Sequence, residues 1–125
     1  MKRDLALCRD ILLRMEECPH GFADPKVIIE QLEAGGWSAD QVGYHAYLLH
    51  DAGLIVGIDV TCRGCTGPMY LPRKMTSAGH EFIDALRSET VWKEISGKVT
   101  TIGGWTFQAV ISAAAAHVTR LLMPG

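Results

Sequence analysis

From Val27 to Cys62 the chain contains no lysine and no arginine. The same span holds five acidic residues, Glu30, Glu33, Asp40, Asp51 and Asp59. Affinity for a phosphate backbone comes largely from Lys and Arg, so this segment is poorly equipped for nucleic acid. The rest of the chain does not compensate. Its 125 residues carry 12 basic against 14 acidic side chains, a net charge of −2, with no general pull toward nucleic acid or anionic membrane.

Long apolar runs are also missing. In "MKRDLALCRDILLRMEEC" charges recur every few residues, with neither an apolar core nor a small-residue cleavage site, so no signal peptide is expected. The best candidate for a membrane span, Phe107 to Met123, is short and is interrupted by Gln108, Ser112, His117, Thr119 and Arg120. A cytoplasmic location follows as an expectation, and with it four reduced cysteines. There is no glycine-rich phosphate loop, nucleophile elbow or HExxH motif. Among the histidines, His45 projects onto the buried side of its helix. His80 and Glu81 are adjacent on a helix and point apart, while Glu81 and Asp84 read as a dipole-favoured first turn. No catalytic residue, metal or cofactor is assigned, and a non-enzyme is expected.

What the chain does have is helix punctuation. Lys2 to Glu17 reads as a first helix with Leu5, Cys8, Ile11, Leu12 and Met15 on one stripe and Arg3, Arg9, Asp10, Arg14 and Glu17 outward. Asp24 then caps, Pro25 opens and Gly35 stops a short second helix. Ser38, with Gln41 three residues on, forms a capping box for a third helix that Gly53 ends. On that helix Val42, His45, Ala46 and Leu49 face one way; Asp40, Tyr44, Tyr47 and Asp51 face the other. Leu54 to Thr61 reads as a strand, "CRGCTGP" as a turn and "MYLPRKM" as a returning strand. Thr76 caps one long helix through Ile95, "SGKVTTIGG" reads as a linker, and Thr106 caps a last helix to about Leu122. The last stripe is Phe107, Val110, Ile111, Ala114, Val118, Leu121 and Leu122, and no internal repeat appears.

The order of three helices, a hairpin and further helices is that of a winged helix-turn-helix. The expected class is therefore α+β, mostly α, with a small β-hairpin wing and additional C-terminal helices. The winged-helix domain is placed at 1–98 and a C-terminal helix for dimerisation or docking at 99–125. Cys62 and Cys65 have the spacing for two zinc thiolates, with Cys18 and His20 the nearest other pair. A hairpin turn at Arg63–Gly64 flanked by two small residues is the favoured reading, and no metal is assigned. Cys8 is read as a core residue.

Three segments add a resemblance. The "MKRD" start, "GYHAYLLHDAGLI" at 43–55 and "TSAGHEFIDALRSETVWKE" at 76–94 together resemble a bacterial family of unknown function common in prophages. Gly79–His80–Glu81–Phe82 followed by Trp92 is the most specific part. The resemblance implies a winged-helix fold and a phage context, and it transfers no catalytic or binding residue.

Two functions remain in view. One is a protein-interaction role, as adaptor or inhibitor of a host system, through Asp40, Tyr44, Tyr47, His50 and Asp51. Tyrosine is enriched at protein interfaces, and carboxylates on a recognition helix would meet phosphates unfavourably. The other is a dimeric DNA-binding regulator, with Arg63, Arg73 and Lys74 as nucleic-acid contacts. The small back face of the last helix, Ala109, Ser112, Ala113 and Ala116, is the expected homodimer or docking element.

Overall fold

Local caps set most of the helix boundaries. The computed structural model describes residues 1–102 and 104–122, side chains excepted at 100–102 and 117–122. The order is α1 (Leu5–Glu16), α2 (Pro25–Ala34), α3 (Ala39–Asp51), β1 (Ile55–Asp59), β2 (Tyr70–Met75), α4 (Ser77–Leu86), α5 (Glu89–Ile102) and α6 (Phe107–Leu122). A 3-10 turn at Pro19–Gly21 joins α1 to α2. The class is α+β and mostly helical, and the sheet among the described residues is one antiparallel hairpin. By internal packing the chain divides into two compact units, Met1–His80 and Glu81–Gly125.

In the first unit, Asp4 opens α1 by accepting the Ala6 amide at 2.9 Å, so the helix begins later than Lys2. Asp24 caps α2 the same way, with Pro25 at the first helical position. The Ser38–Gln41 box is complete, at 3.1 Å from the Gln41 amide to Ser38 Oγ and 2.9 Å from the Ser38 amide to Gln41 Oε1. Helix α1 packs against α2, α3 and β2. A helix enclosed on three sides buries a wide arc. Leu7 and Arg9 therefore join Leu5, Cys8, Ile11, Leu12 and Met15 in the interior, although Arg9 reads as outward in the sequence.

Helix α3 ends in a Schellman motif. The Gly53 amide donates to His50 O at 3.0 Å and the Leu54 amide to Leu49 O at 2.9 Å, with Gly53 in the left-handed region at φ 77°. Thr76 ties the far end of the hairpin to this turn. Its amide donates to Leu54 O at 3.1 Å and its hydroxyl to Gly53 O at 2.6 Å, while its Oγ1 caps the next helix at the Gly79 amide.

In the hairpin, Val56 pairs with Lys74 and Gly57 with Pro72, leaving Arg73 as the extra residue of a β-bulge. Each outer edge has a backbone group engaged from outside the sheet. On β1 the Gly57 amide donates to His50 Nδ1 at 3.0 Å, and just beyond the strand the Thr61 amide donates to Asp59 Oδ1 at 2.9 Å. On β2 the Arg73 carbonyl accepts the Ala23 amide at 2.7 Å.

The second unit departs from the sequence reading in two places. The helix that begins at Thr76 stops at Leu86, and Ser88 starts a new one, its carbonyl accepting the Trp92 amide at 2.9 Å and its Oγ facing the Val91 amide. A serine that bonds the backbone ahead of it competes with helix continuation. The segment read as a linker is helical through Ile102, and Gly103 lies outside the described residues. Helix α5 packs on α6. Phe82, Ile83, Leu86, Val91, Ile95, Val110 and Ala114 are buried, and Phe107 meets Phe82 edge-on at 5.7 Å between ring centroids. Thr106 caps α6 as expected, at 3.0 Å to the Ala109 amide. The end of its stripe, Val118, Leu121 and Leu122, lies outside the described side chains.

Candidate functional site

The buried and outward faces of α3 separate as the sequence indicates. Val42, His45, Ala46 and Leu49 are buried; Asp40 and Asp51 are exposed; Tyr44, Tyr47 and His50 are half-buried. The hairpin adds a fourth ring. Tyr70 on β2 lies 5.4 Å from Tyr47 and 5.1 Å from His50, and Tyr44 lies 6.0 Å from Tyr47, all between centroids. Four tilted rings from two elements thus form one contiguous surface, at separations that favour aromatic contact. His50 is fixed within it. Its Nδ1 accepts the Gly57 amide, so the neutral ring carries its proton on Nε2.

Acidic groups border the rings. The hydroxyl and amide of Thr61 hold the Asp59 carboxyl below its ordinary range, with a smaller contribution from the Tyr70 hydroxyl that hydrogen-bonds it. Partial burial, followed by the charge of Asp59 and smaller contributions from Tyr47 and Asp51, pushes the Tyr70 phenol up. Beside Tyr44 a cleft of about 340 Å³ opens between Asp40 and the hairpin loop, with Met1, Cys65, Pro68 and Met69 on its walls. Tyr70 and Asp59 are the members that sequence reasoning missed. Their membership depends on hairpin register, which no local pattern encodes.

The basic residues read as nucleic-acid contacts are not brought together. Arg63 is exposed at the tip of the hairpin, whereas Arg73 and Lys74 lie near its base. Arg73 is engaged: its guanidinium donates to Ala23 O at 3.3 Å and lies 4.6 Å from the centroid of the Phe22 ring. Lys74 is exposed opposite Val56.

Cys62 and Cys65 are joined as a disulfide, which corrects the expectation of four free thiols. The Arg63–Gly64 turn brings their Cα atoms to 5.2 Å, a separation a disulfide spans without backbone movement. Cys8 is the core thiol expected, pushed up to about 12 by burial and so chemically quiet. Cys18 donates to Arg14 O at 3.5 Å. Among the described residues no three His, Cys, Asp or Glu gather where a metal ion would fit. His80, Glu81 and Asp84 are exposed, Asp84 pairing with Arg87 at 2.7 Å; His117 lies outside the described side chains.

On α6, Ala109, Ser112 and Ala116 are exposed and Ala113 is half-buried. Ala109 and Ala113 line a small apolar cleft of about 110 Å³ against Ile95, Val99 and Trp105. No helix among the described residues is long and apolar enough to cross a membrane.

The sequence profile of a family described as hypothetical protein, DUF2513, matches residues 2–105. The chain belongs to the DUF2513 family. An uncharacterized protein from Haemophilus influenzae is 33% identical over 103 residues, covering 76% of this chain and 75% of its own length. No solved structure matches the chain significantly. The DUF2513 match spans the Gly79–Phe82 block and Trp92, so the resemblance read from those residues stands at the level of a family of unknown function.

Proposed function

We propose that Met1–His80 is a winged helix-turn-helix serving as a non-enzymatic protein-interaction module, of phage origin and acting as adaptor or inhibitor on a host system. The succession of α1, α2, α3 and the hairpin supports the fold assignment, in which α3 would correspond to the recognition helix. The phage origin rests on the resemblance of the 43–55 and 76–94 segments alone. One observation carries the preference for a protein partner: the outward face of α3 is extended by Tyr70 into a ring surface bordered by Asp51 and Asp59. Aromatic rings in contact suit a protein interface, and carboxylates there oppose phosphates.

Immobilised protein is expected to retain a protein from bacterial lysate, and the Tyr47→Ala/Tyr70→Ala variant to lose it. Duplex DNA titrated in parallel at about 50 and 200 mM salt is expected to show no binding with a steep salt slope. DNA binding at the lower salt that the double variant abolishes would replace this function with the regulator, using exposed Arg63 at the hairpin tip.

Helix α6 is proposed as the homodimer element. Its exposed face is small, and a close helix approach is possible there. Light scattering is expected to give about twice the 13.7 kDa chain mass, falling to a single chain in Ser112→Arg. A monomeric parent protein would refute this.

A further inference from the structure

We infer that the ring surface of α3 and β2 docks an arginine-bearing basic segment of the protein partner. This rests on the protein-interaction function proposed above and specifies the chemistry of its partner.

Charge complementarity selects the occupant. Asp40, Asp51 and Asp59 border the face, and no lysine or arginine occurs between Val27 and Cys62 to neutralise them from within that segment. The Thr61 amide donates to the Asp59 carboxylate at 2.9 Å, which favours its charged form. The rings supply the second half of a cation site. Tyr44, Tyr47 and Tyr70 follow one another at 6.0 and 5.4 Å, and a ring face attracts a cation through its quadrupole. The guanidinium is favoured over the ammonium because it is planar, stacks on aromatic faces, is weakly hydrated and pairs with a carboxylate through two parallel N–H donors. The cleft between Asp40, Tyr44 and the 64–69 loop places a carboxylate and a ring beside one recess. His50 contributes an Nε2–H donor at the opposite end, suited to a backbone carbonyl of the docked segment. The protein already makes this kind of contact internally, where Arg73 covers Phe22.

The test uses the full chain and three synthetic octapeptides, alternating glycine with arginine, lysine or glutamate. Tyrosine ring resonances are followed by NMR at low and moderate salt. The arginine peptide is expected to shift Tyr44, Tyr47 and Tyr70 and to bind at least about tenfold tighter than the glutamate peptide. It is also expected to bind more tightly than the lysine peptide. The Tyr47→Ala/Tyr70→Ala variant should lose that advantage. The isosteric Asp51→Asn/Asp59→Asn variant, which keeps an acceptor for the Thr61 amide, should weaken binding and flatten its salt dependence.

Equal binding of arginine and glutamate peptides, or arginine binding indifferent to ring removal, overturns the inference. The two levels separate in the lysate experiment. A captured protein that depends on the rings but ignores Asp51→Asn/Asp59→Asn leaves the interaction function standing and removes the basic partner. Duplex DNA binding to the ring surface removes both.

Discussion

Gly79→Ala is expected to destabilise the protein by about 2–3 kcal/mol, among the largest effects of any single-methyl addition in the chain. A Cβ at residue 79 would overlap the carbonyl oxygen of Leu54, a backbone atom rather than a side chain that can swing aside. That carbonyl is held by the Thr76 amide at 3.1 Å, and the preceding Gly53 carbonyl by the Thr76 hydroxyl at 2.6 Å. Relieving the overlap means breaking the joint between the α3 turn and α4. Gly97→Ala provides the contrast. Gly97 lies in α5 with open space where its Cβ would go, so alanine should stabilise by about 0.5–1 kcal/mol through helix propensity. Urea midpoints measured on both variants check the pair. A Gly79→Ala midpoint equal to that of the parent protein would show that close packing does not explain this glycine.

His45→Phe is expected to cost about 2–3 kcal/mol at neutral pH, because the ring is 1% exposed and both nitrogens are used. Nδ1 donates to Gln41 O at 2.8 Å, and Nε2 accepts the Asp4 amide at 2.8 Å, tying the start of α1 to α3. Phenylalanine keeps the bulk and leaves the Asp4 amide without its acceptor. The same geometry makes stability depend on pH. Burial lowers the His45 pKa from 6.5, against smaller opposing effects of the Gln41 carbonyl and the Asp4 charge. A lowered histidine pKa means that the unfolded chain takes up the proton first. The contribution of His45 is therefore fully present above pH about 6.5 and is lost as pH falls toward its folded value, at up to about 1.4 kcal/mol per pH unit. Denaturation midpoints between about pH 5 and 7.5 should fall more steeply with acid in the parent protein than in His45→Phe. Parallel curves would assign the acid sensitivity to other groups.

His45 was legible in the sequence, and the reason is local. Its projection onto the apolar side of a capped helix needs only helical periodicity, as do the Asp24, Ser38, Thr76 and Thr106 caps. What escaped the sequence depends on distant pairing. Arg9 is interior because three elements enclose α1. Tyr70 meets Tyr47 only because one extra residue, Arg73, shifts the register of β2. A one-residue shift exchanges the two faces of a strand, and periodicity within the strand does not announce it. Ser88 was a different case. Its cap was visible, but the apolar period running from Phe82 to Ile95 masked it. The carboxylate border of the site was half visible: Asp40 and Asp51 by helical spacing, Asp59 only through Tyr70 and Thr61.

The engaged edge groups of the hairpin constrain how any partner is held. A two-stranded sheet ordinarily offers two rows of unpaired amides and carbonyls on which an incoming peptide adds as a third strand. Here His50 takes the Gly57 amide, Asp59 takes the Thr61 amide, Ala23 takes the Arg73 carbonyl, and residue 72 is a proline with no amide to give. β-Augmentation would therefore be interrupted at these positions. Recognition is left to side chains, so selectivity should follow the identity of a partner's residues rather than its capacity to extend, and self-templated strand stacking is disfavoured for the same reason.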